Sequence, residues 1–229
     1  MRKSLLILCL IALFNACSKD GDKDRDIAGP VITVLGSNPL TIQLNSTYTD
    51  AGATANDAFD GAVNVTSDLS STNPNADSMG TYTVKYTAKD NSGNKGYGYR
   101  TVVVENGSAS FAGNYSVTVM SATDTFPYND VVAIDKNLNN RIHFADFGYF
   151  SNNNHIYVNI VNGTMTMPEQ YAINIGDDQG GQCDVCNHTF ESTSCTIDSN
   201  GFTINYTDNI TAPAICSGIA SYTAVFVKQ

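Results

Sequence analysis

Cys183, Cys186, Cys195 and Cys216 crowd the C-terminal part of a 229-residue chain. Thiols in such a group have three chemistries open to them: disulfide pairing, a tetrahedral thiolate metal site, or dithiol redox exchange. A redox Cys-Asp-Val-Cys needs a βαβ setting and a helix that starts at its first cysteine. The flanking Gly-Asp-Asp-Gln-Gly-Gly-Gln and Asn-His-Thr-Phe offer neither. Haem attachment needs histidine directly after the second cysteine, and Asn187 stands before His188. In an exported chain an even number of cysteines points first to two disulfides, with three connectivities open and a four-thiolate zinc site as the competing reading. Each bridge would contribute about 2–4 kcal/mol under the chain-entropy model.

Carboxylates form the second chemical group. Asp50, Asp57, Asp60 and Asp90 fall in turn-rich stretches, where hard oxygen ligands suit calcium. The same residues serve equally as turn caps through side-chain to backbone bonds, and their spacing is not that of a dedicated calcium loop. Catalytic signatures are missing: there is no Gly-x-Ser-x-Gly elbow, His-Glu-x-x-His pair or Gly-rich phosphate loop. The three histidines (His143, His155 and His188) are scattered, and Glu169 and Glu191 lie in separate segments. The expectation is a protein that is not an enzyme and needs no cofactor, with a carboxylate pair assembled by folding, and hence a hydrolase, as the minor alternative. Phe144, Phe147, Tyr149 and Phe150 cluster in sequence and would make an apolar rim for a ligand, or ordinary core.

These residues need elements to hold them, and the chain first supplies an address. Arg2 and Lys3 precede an apolar run, Leu5 to Phe14, too short to span a bilayer. Asn15-Ala16-Cys17 follows, and the segment resembles a bacterial lipobox with Phe14 where Leu is usual. The resemblance implies that residues 1–16 are a cleaved signal and that Cys17 becomes a diacylated N-terminus, a membrane partner through its lipid. Each buried methylene adds about 0.8 kcal/mol, so several acyl chains anchor stably. Ser18 to Asp26 alternates charge, cannot bury apolar area, and is expected to be a solvated tether over 17–27. It is similar to the acidic export signal of Bacteroidota surface lipoproteins, which implies an outer-membrane protein facing the cell exterior; a plain periplasm-facing spacer has the same composition. Losing Arg2 and Lys3 and no acid takes the net charge from −10 to −12. Such an acidic surface disfavours nucleic acid as a partner.

The remainder is rich in Thr, Asn, Ser, Val, Ile and Tyr without helical periodicity, so the fold class is all-β. Residues 28–106 give strands at 30–36, 39–44, 61–69, 80–90 and 97–106, with Tyr82, Val84 and Tyr86 on one face. The stretches YTDAGATANDAFDG (48–61), GTYTVKYTAKDNSGN (80–94) and YRTVVV (99–104) resemble a bacterial immunoglobulin-like domain, the kind found in surface lipoproteins and some pesticidal crystal proteins and related to hyalin-type repeats. That resemblance implies an Ig-like β-sandwich acting as spacer or adhesive module.

A Gly-Ser linker at 106–110 leads to residues 110–229, where eight strand-like runs separated by Asn-rich turns predict an antiparallel meander closing into a small barrel, with a second open sandwich as the alternative. The runs at 113–122, 141–147, 164–168 and 201–207 resemble the lipocalin-like C-terminal domains of Bacteroidota lipoproteins. A barrel of this size holds one small ligand or is filled by its own side chains. The expected function is therefore a non-catalytic surface lipoprotein whose Ig-like spacer presents a β-domain to an extracellular glycan, peptide or protein; a purely structural or adhesive protein is the alternative.

Overall fold

The structure, a computed structural model, describes residues 25–70, 72–149, 156–175, 186–211 and 218–229. The expectations for Cys17, Phe150, His155, Cys183 and Cys216 lie outside the described residues. Among the described residues, sixteen strands and two short 3-10 turns make up the regular structure. The all-β expectation holds.

In the first domain β1 (Val31–Val34), β3 (Ala53–Asp57) and β4 (Gly61–Val63) form one sheet in the order β1-β3-β4. Facing it, β2 (Leu40–Gln43), β5 (Val65–Ser67), β6 (Gly80–Lys89) and β7 (Lys95–Glu105) are ordered β2-β7-β6-β5, with β2 parallel to β7. The expected single strand over 61–69 is two: after Asn64 the chain changes sheets, a corner that a run of alternating residues does not disclose. The pattern also hides β3, because Ala53-Thr54-Ala55-Asn56-Asp57 holds only small and polar side chains. Between the sheets Val84, Tyr86 and Val102 form a buried centre, joined by Ile32, Val34, Ile42, Tyr48, Val65 and Tyr82. Period-two alternation on β6 puts Tyr82, Val84 and Tyr86 inward, as expected. β1 can lie this close to β7 only because position 98 is glycine: a Cβ there would stand 2.6 Å from Ile32 Cγ2.

The second domain is one nine-stranded sheet. Its strands are β8 (Gly113–Met120), β9 (Thr125–Ile134), β10 (Arg141–Phe144), β11 (Tyr157–Val161), β12 (Thr164–Thr166), β13 (Gln170–Ile175), β14 (Cys186–Ile197), β15 (Gly201–Thr211) and β16 (Gly218–Lys228), in the order β12-β11-β10-β9-β8-β16-β15-β14-β13. Each strand neighbours its successor except β12, whose successor β13 begins at the opposite edge, and β8 pairs with β16 between the two runs, which is the meander expected of a barrel. The sheet curls until its ends meet. Ser192 N–H donates to Met167 O at 3.1 Å, and Met167 N–H donates to Ser192 Oγ at 3.0 Å. Gln170 adds a side-chain rung: its Oε1 accepts from Tyr157 N–H at 2.9 Å and its Nε2 donates to Tyr157 O at 2.8 Å.

One strand, β14, is absent from the sequence-based map. Cys-Asn-His-Thr-Phe-Glu-Ser-Thr-Ser-Cys-Thr-Ile has few apolar side chains, and a register shift between Ser192 and Ser194 reverses its alternation. Before that bulge His188 and Phe190 are buried; after it Cys195 takes the half-buried position.

The linker is not a loose connection. Asn106 is 1% exposed, and all its amide positions are used. Its Nδ2 donates to Asp135 O at 2.8 Å and Leu138 O at 2.9 Å, while its Oδ1 accepts from Ser108 N–H at 2.9 Å and Asn140 N–H at 3.0 Å. Asn139 N–H reaches back to Asn45 Oδ1 of the first domain at 3.1 Å. A Cβ at Gly107 would stand 2.2 Å from Asn140 Oδ1 and 2.5 Å from Gln43 Oε1, so a larger residue would require those side-chain ends to swing aside. These contacts fasten the sandwich to one end of the barrel.

Candidate functional site

Inside the barrel, alternation along β15 turns Phe202, Ile204, Tyr206 and Asp208 inward in succession. The joint-side layers are aromatic: Phe202 stacks on Phe226 with centroids 4.6 Å apart, Phe144 lies 5.1 Å from Phe226, and Phe147 lies 4.9 Å from Tyr206. Tyr115, Val117, Val119, Val132, Ile142 and Val158 fill the space between. Phe144 and Phe147 are thus core residues, which corrects their expected place on an open ligand rim. Each occupies an inward position between two walls of the barrel, so its ring meets protein on every side. Tyr149 ends a 3-10 turn, and Phe150 lies outside the described residues.

Away from the joint the interior becomes polar. His188 Nδ1 and Asp208 Oδ2 are 2.8 Å apart, with both side chains almost wholly buried. His188 also stacks on Phe190, centroids 5.8 Å apart. Tyr206 and Tyr222 stack beside them at 5.4 Å, and Tyr128 Oη accepts from Gly148 N–H at 3.0 Å. Burial first, then the proximity of Tyr128, Asp208 and Tyr222, pushes the Tyr206 hydroxyl well above its ordinary value, so it stays protonated. Asp208 Oδ1 has no hydrogen-bond partner. A carboxylate on one imidazole nitrogen fixes the tautomer and orientation of the ring. The arrangement ties β14 to β15 and makes the distal mouth a polar layer beyond the aromatic ones. Sequence reading did not single it out, although the parity of Phe202, Ile204 and Tyr206 carries Asp208 onto the core face.

Of the four cysteines, Cys186 and Cys195 fall among the described residues, and they lie far apart. Cys186 opens β14, whereas Cys195 sits opposite Ile204 near the Asp198–Gly201 turn. Nine residues of strand separate them, roughly 30 Å. A cluster of all four thiols, whether two adjacent bridges or a zinc site, is therefore excluded by the length of β14. Cys195 is a free, half-buried thiol whose burial pushes its pKa up, against weaker opposing bonds from Ser192 and Met167.

The four aspartates also part company. Asp50 belongs to a buried cation: Arg100, 1% exposed, places Nε 3.2 Å from Asp50 Oδ1. Tyr86 and Tyr48 hydroxyls donate to the same oxygen at 2.7 and 3.0 Å. Burial pushes the Asp50 carboxyl up, but the bonds from Tyr86, Tyr48 and Gly52 and the Arg100 charge outweigh it and hold it below the usual range. Its negative charge is already neutralised, so Asp50 leaves the calcium set. Arg100 Nε also donates to Tyr86 Oη at 3.1 Å, Nη1 to Ser37 O at 2.6 Å, and Nη2 to Leu35 O. Arg100 too went unremarked in the sequence, where its parity with Val102 and Val104 marks it as inward-facing. Asp57 and Asp60 do come together, beside Asp26. Asp90 caps the neighbouring turn through Asn94, accepting its N–H at 2.7 Å and its Nδ2 at 2.9 Å.

No helix among the described residues is long and apolar enough to cross a membrane. No curated protein matches the chain. Two solved structures are similar over most of its length. The lipoprotein BT2262 from Bacteroides thetaiotaomicron is 16% identical with a TM-score of 0.29, over 87% of this chain and 100% of that one. The CBM51-2 and INT domains of Clostridium perfringens ZmpB, solved with GlcNAc, are 14% identical with a TM-score of 0.25, over 86% of this chain and 43% of that one. Both likenesses are too distant to inform the site. The sandwich is recognised more directly: residues 32–104 match the family model of the bacterial surface protein Ig-like domain, so this part of the chain is similar to Ig-like domains of that kind.

Proposed function

We propose that the protein is a non-catalytic lipoprotein, anchored in the outer membrane through acylated Cys17, whose Ig-like domain is a stiff spacer holding a β-barrel toward the cell exterior. The observation that carries this reading is the joint. An amide with every hydrogen-bonding position occupied, at Asn106, fixes one end of the barrel to the spacer. The opposite mouth, with His188 and Asp208, then points away from the anchor. Because aromatic side chains fill the interior, recognition belongs to this distal mouth and the outer wall, and a glycan or extracellular peptide fits that surface better than an enclosed apolar molecule. The packed interior equally favours the adhesive alternative, in which the contacted surface belongs to another cell or matrix.

Two experiments on the full-length chain test the proposal. Cys17→Ala should abolish fatty-acid labelling and release the protein from membranes, and protease added to intact cells should cleave the wild type. Glycan and peptide arrays probed with the soluble chain from Ser18 should give saturable binding that Asp208→Asn or substitutions at the distal mouth weaken. Retained labelling in Cys17→Ala, or full protection on intact cells, would overturn the topology.

A further inference from the structure

The corner of the sandwich nearest the tether carries a concentration of negative charge without a counter-ion. Asp26, Asp57 and Asp60 each offer a carboxylate oxygen, and these oxygens lie within 4.8 Å of one another. Among the described residues no Lys or Arg forms an ion pair with any of them. Asp57 is 3% exposed. Its Oδ1 caps the turn by accepting from Phe59 N–H at 2.8 Å and Asp60 N–H at 3.1 Å, but its buried Oδ2 has no partner. Asp26 repeats the arrangement: Oδ1 accepts from Ala28 N–H at 3.2 Å, and Oδ2 is buried and unpartnered. Asp60 is held by Asn91, through N–H to Oδ2 at 2.8 Å and Nδ2 to Oδ1 at 2.9 Å, which leaves further lone pairs free. Asn94, bound to Asp90, donates to Asp26 O at 3.3 Å and so draws the chain at Asp26 against this turn.

Turn capping explains one oxygen of Asp57 and none of the orphaned pair. A buried carboxylate oxygen with no donor is costly, and two of them facing a third carboxylate repel. A hard divalent cation removes both penalties together. Calcium fits better than magnesium, because it accepts irregular sets of carboxylate, carbonyl and water oxygens at about 2.3–2.6 Å, whereas magnesium demands a near-ideal octahedron.

We propose that Asp26, Asp57 and Asp60 form a calcium site that clamps the root of the tether to the Ig-like domain. Asp26 is the ligand that gives the site its purpose, since it lies at the tether side while Asp57 and Asp60 belong to the β3–β4 turn. Sites of this openness on extracellular modules bind with Kd of about 10⁻⁴–10⁻³ M.

The test uses the soluble full chain from Ser18, stripped with chelator, in calorimetric titration and thermal unfolding with calcium chloride. Calcium at 10 mM should raise the midpoint of the Ig-like domain by at least about 5 °C, with magnesium less effective. Asp57→Asn keeps the Oδ1 turn cap, and Asp26→Asn removes no packing. Each should melt no lower than the wild type without calcium, because a repulsive charge is gone, and each should weaken calcium binding at least tenfold. Replacing Asp20, Asp22 and Asp24 together by Asn should leave the affinity unchanged. No heat and no midpoint shift up to 10 mM calcium would overturn the site, as would wild-type affinity in both Asp26→Asn and Asp57→Asn. Loss of binding only in the tether triple variant would place the ion on the tether and refute the clamp. Surface exposure and lipidation are read by other assays, so either result stands apart from the proposed topology.

Discussion

Replacing Arg100 by methionine tests how the Ig-like domain is held together. The guanidinium sits between the sheets, 1% exposed, with Asp50, Tyr86 and the carbonyls of Leu35 and Ser37 around it. Methionine matches much of its volume and none of its donors. The variant leaves Asp50 negative and largely buried without a cation, and two carbonyls unpaired. Removing one partner of a buried pair costs about 3–5 kcal/mol. A domain of this size has about 4–11 kcal/mol in total, so Arg100→Met should bring it close to unfolding. Urea titration at pH 7, followed by circular dichroism and by hydrogen exchange of peptides from residues 28–106, should show a loss confined to this domain. The pH dependence carries a second signature. Asp50 is depressed in the folded state, so its contribution is present above the ordinary carboxylate value of about 3.9 and is lost as pH falls through the folded value. The gap between wild type and variant should therefore narrow below about pH 4. Adding Asp50→Asn to Arg100→Met should recover part of the loss, since the orphaned charge goes with it. A single-variant loss under about 1 kcal/mol would refute the account, as would a gap independent of pH.

Two further outcomes follow from buried polar groups. Asp130 accepts three N–H bonds on Oδ1, from Val131, Ala145 and Asp146, while its buried Oδ2 has none. Burial, helped by the Asp146 charge, pushes its carboxyl up against those bonds. Its favourable contribution is complete below the unfolded value and fades as pH rises through the raised one, so Asp130→Asn should stabilise the barrel by about 1 kcal/mol at pH 7 and not at pH 3, checked by thermal unfolding at both. Asn106→Ala removes the four side-chain bonds that Asn106 makes at the joint and should let the domains tumble independently, read as separate alignment tensors from residual dipolar couplings; one shared tensor would refute the role given to Asn106.

The strands legible in the sequence are those whose alternation is written in Val, Ile, Tyr and Phe, such as β6 and β8. Strands written in small or hydroxyl side chains, β3 and β14, are silent, because a pattern detects apolar contrast and these derive their place from neighbours already in the sheet. Polar residues on inward parity were readable but unread: Arg100 follows Val102 and Val104, and Asp208 follows Tyr206. The cysteine grouping failed for a mechanical reason, since a loop brings its ends together and a twelve-residue strand holds them apart. Asp26 could not be chosen from its surroundings in sequence, a run of alternating charge in which only the fold distinguishes one aspartate from the next.

A joint with Asn106 buried at its centre has a mechanical corollary. Torque applied at the distal mouth passes through the barrel into the sandwich without being absorbed at the waist, so the molecule behaves as a single lever. Its heading is set by whatever governs the pivot beneath it, and a pull on the far end of the barrel is felt undiminished at Asp26, where the sandwich begins.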